Sequence, residues 1–163
     1  MVTMHQINEQ LLNQLAEMPH FLNKTCLGTK QSLLLTLSSV DKSPLNEHLW
    51  HLLDCETDLY GMRIRRVINE EQPVLEPMSV SHWPVERDYP QRLGDVAIER
   101  FCGERAQLIA LLGNLSSEQT ARTGIRPDGS IVTIADLLEQ VADHDRDHRW
   151  RIAAIYKSFV GLG

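Results

Sequence analysis

Apolar residues recur along most of this chain at spacings of three, four and seven, the pattern of helices that bury one face. The first such segment covers residues 3–26. Pro19 predicts a kink or a split within it, and Gly28 predicts its end. Its apolar face consists of Ile7, Leu11, Leu15 and either Phe21 or Leu22.

A second helix is predicted from the Ser43-Pro44 pair to about Asn69. Serine before a helix accepts a hydrogen bond from a free backbone amide, and proline at the first helical position has no amide to leave unpaired. We therefore expect Ser43 to be the N-cap. The apolar face then carries Leu45, Leu49, Leu52, Leu53, Leu59, Tyr60, Ile64 and Val67.

The periodic pattern stops over residues 72–91, which contain four prolines. This segment is predicted to be the one long loop, and loops of such length in a small domain are often functional. A third helix is predicted over residues 93–114 and a fourth over residues 133–160. The PDGS sequence at 127–130 predicts a turn, and Thr133 with Asp136 predicts a capping box.

Four long amphipathic helices predict an all-α fold, an antiparallel four-helix bundle whose long loop joins helices two and three. At 163 residues the chain is predicted to be a single domain, 1–163, with a core large enough to need neither disulfide nor structural metal. Its three cysteines occupy no metal-binding or disulfide pattern and are interpreted as small core residues.

Charge and hydropathy narrow the possible partners. The net charge of −6 argues against broad contact with nucleic acid, so no nucleic-acid partner is expected. No apolar run approaches the roughly 20 residues of a membrane span, and no secretory signal begins the chain. The protein is therefore predicted to be cytoplasmic and to have no membrane partner.

The charged segment DHDRDH, residues 143–148, hides two histidines on the buried side of the fourth helix. Projected at about 100° per residue, His144 and His148 align with the apolar stripe, whereas Asp143 and Arg146 point away from it. Residues four apart on a helix are neighbours, so the two imidazoles can bind one metal ion. The alternative is a pair of hydrogen-bonded core histidines.

A third ligand is available in EHLWHLLDCE on the second helix. His48 and His51 lie on one edge of its apolar face, near Cys55, and either histidine could approach the pair on the fourth helix. Three imidazoles would leave at least one coordination position free, as catalytic zinc sites do.

Several motifs in order carry a family resemblance. They are HLxDxE at His51 to Glu56, YGMRIRR, ERDY at residues 86–89, RTGIRPDGSIVTIADLL and the final HDxxH. In this combination the chain resembles the DinB-like superfamily of metal-binding four-helix bundles, which includes thiol-dependent S-transferases.

The resemblance implies that His51, His144 and His148 bind a divalent metal, zinc or nickel, as the cofactor, with solvent completing the shell. It leaves supporting roles around the ligands, or plain structural hydrogen bonds and ion pairs, for four further residues. These are His48, Asp54, Glu56 and Asp145.

Two functions follow as hypotheses. The first is a metal-dependent enzyme, S-transferase or hydrolase-like, which activates water or a low-molecular-weight thiol cosubstrate against a small-molecule substrate. Trp83, Arg87 and Tyr89 of the long loop are expected to shape its substrate mouth. The alternative is a non-catalytic metal-binding or dimerising bundle of the stress- or damage-inducible type, with a homodimer as its assembly.

Overall fold

The computed structural model describes residue 7 and residues 9–160. Its elements follow the chain in this order: α1 Glu9–Thr25, α2 Gln31–Leu34, α3 Leu45–Cys55, a π-helical turn Glu56–Tyr60, α4 Gly61–Asn69, α5 Trp83–Glu86, a 3-10 turn Tyr89–Gln91, α6 Gly94–Gly113, α7 Ser117–Thr120, β1 Thr123–Ile125, β2 Ile131–Thr133 and α8 Ile134–Val160. The long helices form the predicted four-helix bundle, in which α1 and α3 both pack on α6 and α8. Residues 3–6 and 8 of the first predicted helix lie outside the described residues.

The core consists of two apolar clusters stacked along the bundle. On α6, Phe101 belongs to one cluster and Leu108 to the other; on α8, Ile152 and Val141 divide in the same way. Both helices therefore pass from one cluster to the other at the same height along the bundle axis. Arg105 of α6 and the 144–148 segment of α8 lie at that level, which is where the buried polar groups collect.

Arg105, Glu56 and Asp145 form a buried group that we call the ion cluster. The guanidinium donates to both oxygens of Glu56, at 2.7 and 2.8 Å, and to both oxygens of Asp145, at 2.7 and 3.1 Å. Its remaining N–H donates to the carbonyl of Leu15 at 2.8 Å. All five guanidinium donors are thus used.

The Leu15 carbonyl explains how α1 continues through Pro19 without being split there. Proline has no backbone N–H, so the carbonyl four residues earlier loses its helical partner. Arg105 supplies the missing donor from α6. A long-range contact, which the local sequence cannot reveal, compensates for the proline.

The predicted second helix is present but contains a π-helical turn between α3 and α4. The amide of Gly61 bonds to the carbonyl of Glu56, five residues back, and a Cβ at position 61 would lie 2.3 Å from that oxygen. Glycine is therefore required at this approach. The helix begins one residue later than predicted, with Pro44 as N-cap, and the Ser43 hydroxyl donates to Glu47 instead of capping the helix.

The segment before α8 is a short hairpin that the periodicity did not predict. β1 and β2 pair antiparallel, and Gly129 has a φ of +85° in the predicted PDGS turn. Both hydrogen bonds of the predicted capping box are present, Thr133 N to Asp136 at 2.8 Å and Asp136 N to Thr133 at 3.0 Å. None of the helices in the described residues is long and apolar enough to span a membrane.

Candidate metal centre

Four histidines meet where α3 packs against α8, and we call them the histidine cluster: His48, His51, His144 and His148. The ring centroids of His144 and His148, one turn apart, are separated by 4.5 Å. The ring of His51 lies 5.3 Å from that of His144 and 5.0 Å from that of His148. The three histidines implied as ligands by the family resemblance are therefore neighbours in space.

The closest ring nitrogens fall into two pairs. Nε2 of His51 lies 3.2 Å from Nε2 of His144, and Nδ1 of His48 lies 2.9 Å from Nδ1 of His148. The thiol of Cys55 lies 3.4 Å from Nε2 of His51. One ligand atom each from His51, Cys55 and His144 lie within 4.8 Å of one another, an arrangement that could hold a metal ion.

Burial keeps these rings neutral. It lowers the pKa of His48 to about 4, of His144 to about 3 and of His148 to about 2, and it lowers that of His51 as well. A neutral imidazole has a free nitrogen lone pair, which is the form that binds a metal. Burial raises the pKa of the Cys55 thiol to about 12, so this sulfur keeps its proton unless a cation displaces it.

A pocket of about 190 Å³ opens beside the cluster. Helix α3 contributes Glu47, His48 and His51 to its wall, and α8 contributes His148 and Arg151. The other wall comes from Ser43 before α3, from Val80 and Ser81 before α5, and from Pro84 of α5. Two of the proposed ligands therefore border a space that a small molecule could enter.

The loop residues expected at the substrate mouth lie elsewhere. Trp83 and Tyr89 are buried in the core, and the Tyr89 hydroxyl donates to Asp54 at 2.8 Å. Arg87 bonds to Asp54 at 3.0 Å and to Asp58 at 2.6 Å, with its guanidinium 3.8 Å from the centre of the Trp83 ring. These side chains anchor the 72–91 segment to α3 and the π-helical turn, while Val80, Ser81 and Pro84 of the same segment face the pocket.

The carboxylates considered as supports for the ligands bond to other groups. Asp54 is held by Tyr89 and Arg87, and Glu56 and Asp145 are held by Arg105. Of these four candidates, His48 is the one that contacts an expected ligand, because its Nδ1 lies 2.9 Å from Nδ1 of His148.

Residues that the sequence did not mark as part of the site also border it. Ser43 lies just before α3 and donates to Glu47. Glu47 precedes His51 by four residues on α3, and Arg151 follows His148 by three on α8, so each shares a helix face with the histidine it neighbours. That spacing was a usable signal. Asp41 gave no such signal, because it reaches Arg151 and His48 from a loop.

The fold belongs to a recognised class. Residues 9–152 match the family model of the DinB superfamily, and the chain belongs to that superfamily.

Two further proteins are similar to this chain over most of its length. A protein of Oceanobacillus iheyensis named "Putative metal-dependent hydrolase" is 24% identical over 151 residues, covering 93% of this chain and 86% of the relative. The structure of YfiT from Bacillus subtilis, described as "a probable metal-dependent hydrolase with an unusual four-helix bundle topology", superimposes with a TM-score of 0.80 at 21% identity. That match covers 94% of this chain and 90% of YfiT and supports the same fold.

Proposed function

We propose that this protein is a metal-dependent enzyme that binds zinc or nickel through His51, His144 and His148 and activates water or a low-molecular-weight thiol against a small-molecule substrate. The observation that carries the proposal is the convergence of three imidazoles, two of which, those of His51 and His148, line an open pocket. Zinc and nickel both accept imidazole nitrogen. The donor set present therefore fits such an ion.

Two donors, His51 and His144, belong to both candidate ligand sets. The third is Cys55 in the set whose ligand atoms lie within 4.8 Å of one another, and His148 in the set that the family resemblance implies. His148 borders the pocket together with His51, whereas Cys55 is buried and does not line it. Either set of three ligands leaves a coordination position open for a substrate or cosubstrate, as catalytic sites require, so the contact with the pocket decides between them. We therefore assign His148 as the third ligand.

A divalent ion held there would supply Lewis acidity, lowering the pKa of a water or thiol that it coordinates. Glu47 lies in the same pocket, one turn before His51, and its carboxylate is oriented by the Ser43 hydroxyl at 2.8 Å. This carboxylate is placed to accept the proton that the nucleophile releases. The names of both relatives favour water as the nucleophile, and the S-transferases of the superfamily favour a thiol.

The metal content of tag-free protein tests the ligand set. We expect about one zinc or nickel ion per chain by elemental mass spectrometry, lost in His51→Ala, His144→Ala and His148→Ala. It should be retained in Cys55→Ser and in His20→Ala, whose histidine is exposed on α1. Loss of metal in Cys55→Ser with retention in His148→Ala would replace His148 by Cys55 as ligand. Wild-type protein that takes up no metal on titration would contradict the proposal.

Turnover is tested separately, by screening ester, amide and thiol-acceptor substrates with metal-loaded protein. Glu47→Gln should keep the metal and lose most of the rate, because the pocket then lacks its proton acceptor.

The alternative function is a non-catalytic bundle that dimerises through an exposed helix face. Trp150 of α8, with 73% of its surface exposed, is the side chain that a second copy would cover. Bound metal with no turnover, and a dimer broken by Trp150→Ala, would favour it.

A further inference from the structure

The cluster contains a fourth histidine that the proposed ligand set does not use. His48 is 2% exposed, and its Nδ1 lies 2.9 Å from Nδ1 of His148. At that distance one of the two nitrogens carries the hydrogen and the other accepts it. One of the two neutral rings is therefore the donor of this hydrogen bond, and the other is the acceptor.

The surroundings of the other nitrogen of His48 show which ring is the donor. Nε2 of His48 is buried, has no aligned hydrogen-bond partner, and lies 3.4 Å from Oδ2 of Asp41. A lone pair facing a carboxylate is repelled, whereas an N–H facing it is attracted, so the proton of His48 belongs on Nε2. Nδ1 of His48 is then the acceptor, and His148 must donate from its own Nδ1.

Asp41 is itself fixed by α8. Arg151 donates to Oδ2 of Asp41 at 2.8 Å and to Oδ1 at 3.1 Å, and the backbone amide of Ser43 donates to Oδ1 at 2.9 Å. The Asp41 side chain is 6% exposed. Because Arg151 lies three residues after His148 on the same helix, the contacts from His148 through His48 and Asp41 return to α8 and form a closed circuit.

We propose that His48, backed by Asp41, is a positioning residue that holds His148 in the tautomer with its proton on Nδ1, leaving the Nε2 lone pair free for a metal ion. The proposal rests on the proposed function for the role of His148 as a ligand. Histidines that bind metals usually donate their second N–H to a carboxylate, a carbonyl or water. In this chain His48 accepts that hydrogen bond, and its own Nε2 faces the carboxylate of Asp41.

Two readouts test the proposal. Long-range proton–nitrogen NMR of the metal-free protein reports which nitrogen of His148 is protonated, and chelator competition reports the zinc dissociation constant. We expect His148 to be protonated on Nδ1 in the wild type. His48→Leu should lose that preference and weaken zinc binding about 10- to 100-fold while circular dichroism stays unchanged.

Two variants complete the design. His48→Asn, whose Oδ1 can take the acceptor place of Nδ1, should restore most of the affinity and the Nδ1 tautomer. His20→Leu removes an exposed histidine and should match the wild type in both readouts. Protonation of His148 on Nε2 in the wild type, or unaltered zinc affinity in folded His48→Leu, would overturn the proposal. If the wild type binds no zinc, the proposed function fails, while the tautomer of His148 still decides whether His48 orients it.

Discussion

The ion cluster and the histidine cluster are both buried, and both use the 144–148 segment of α8, yet they differ in how their polar atoms are satisfied. Arg105 uses all five donors on Glu56, Asp145 and the Leu15 carbonyl. The histidine cluster pairs ring nitrogens with one another and leaves Nε2 of His48 without an aligned partner.

The difference shows how a structural network and a group of side chains with binding capacity can occupy neighbouring positions of one helix. A network whose donors and acceptors are matched has nothing left with which to bind a ligand, and it stabilises one packing arrangement. A group of neutral rings with spare lone pairs beside a pocket retains binding capacity at some cost in stability. Asp145 and His144 are adjacent in sequence, but the helix turns one toward Arg105 and the other toward His51.

The largest expected effect is on the ion cluster. Arg105→Met should lower the free energy of unfolding by about 3–5 kcal/mol, because it leaves two buried carboxylates and one carbonyl without their donor. Urea denaturation measures it. Arg100→Met, at an exposed position on the same helix, is the matched control and should change stability by no more than about 0.5 kcal/mol. A loss as small as that of the control would mean that the cluster does not hold the helices together.

The histidine cluster should respond to pH instead. Burial lowers the pKa of His48 to about 4, so below the usual histidine pKa of about 6.5 the unfolded chain takes up a proton that the folded protein does not. Above about pH 6.5, His48 does not reduce the free energy of unfolding. As the pH drops toward about 4, this one ring lowers the free energy of unfolding by on the order of 2–3 kcal/mol. Asp145, whose pKa is raised by burial, acts in the opposite direction at low pH.

Urea denaturation of metal-free protein across this pH range checks the expectation. His48→Asn removes one buried titrating ring and should lose less stability between about pH 6.5 and about pH 4.5 than the wild type. Parallel curves for the two proteins would show that His48 does not contribute to the acid sensitivity.

The smallest effect concerns the π-helical turn that carries Glu56 into the ion cluster. Gly61→Ala should destabilise the protein by about 1–2 kcal/mol, because the new Cβ would lie 2.3 Å from the Glu56 carbonyl. Gly103→Ala, in an open position of α6, should stabilise it by up to about 1 kcal/mol. Opposite shifts in melting temperature are expected, and shifts of the same sign would contradict the requirement for glycine at position 61.

Much of the fold was predictable, because its signals are local. The third predicted helix differs from α6 by one residue at each end, and the PDGS turn and the Thr133-Asp136 box appear as predicted. The hairpin was missed because strands of three residues are too short to show a period. Arg105 was missed as well, although it shares one helix face with Phe101 and Leu108 and so interrupts an apolar stripe.

By itself, the sequence determined the four helices, the inward projection of His144 and His148, and the presence of further histidines on a second helix. These follow from periodicity, which depends only on residues close together in the chain. The tertiary structure decided which groups become partners. Asp145 pairs with Arg105 rather than with a histidine, and Cys55 contacts His51. Asp41 contacts both His48 and Arg151. Such pairings join side chains from separate elements, and only the packing of α3, α6, α8 and their loops determines their distances.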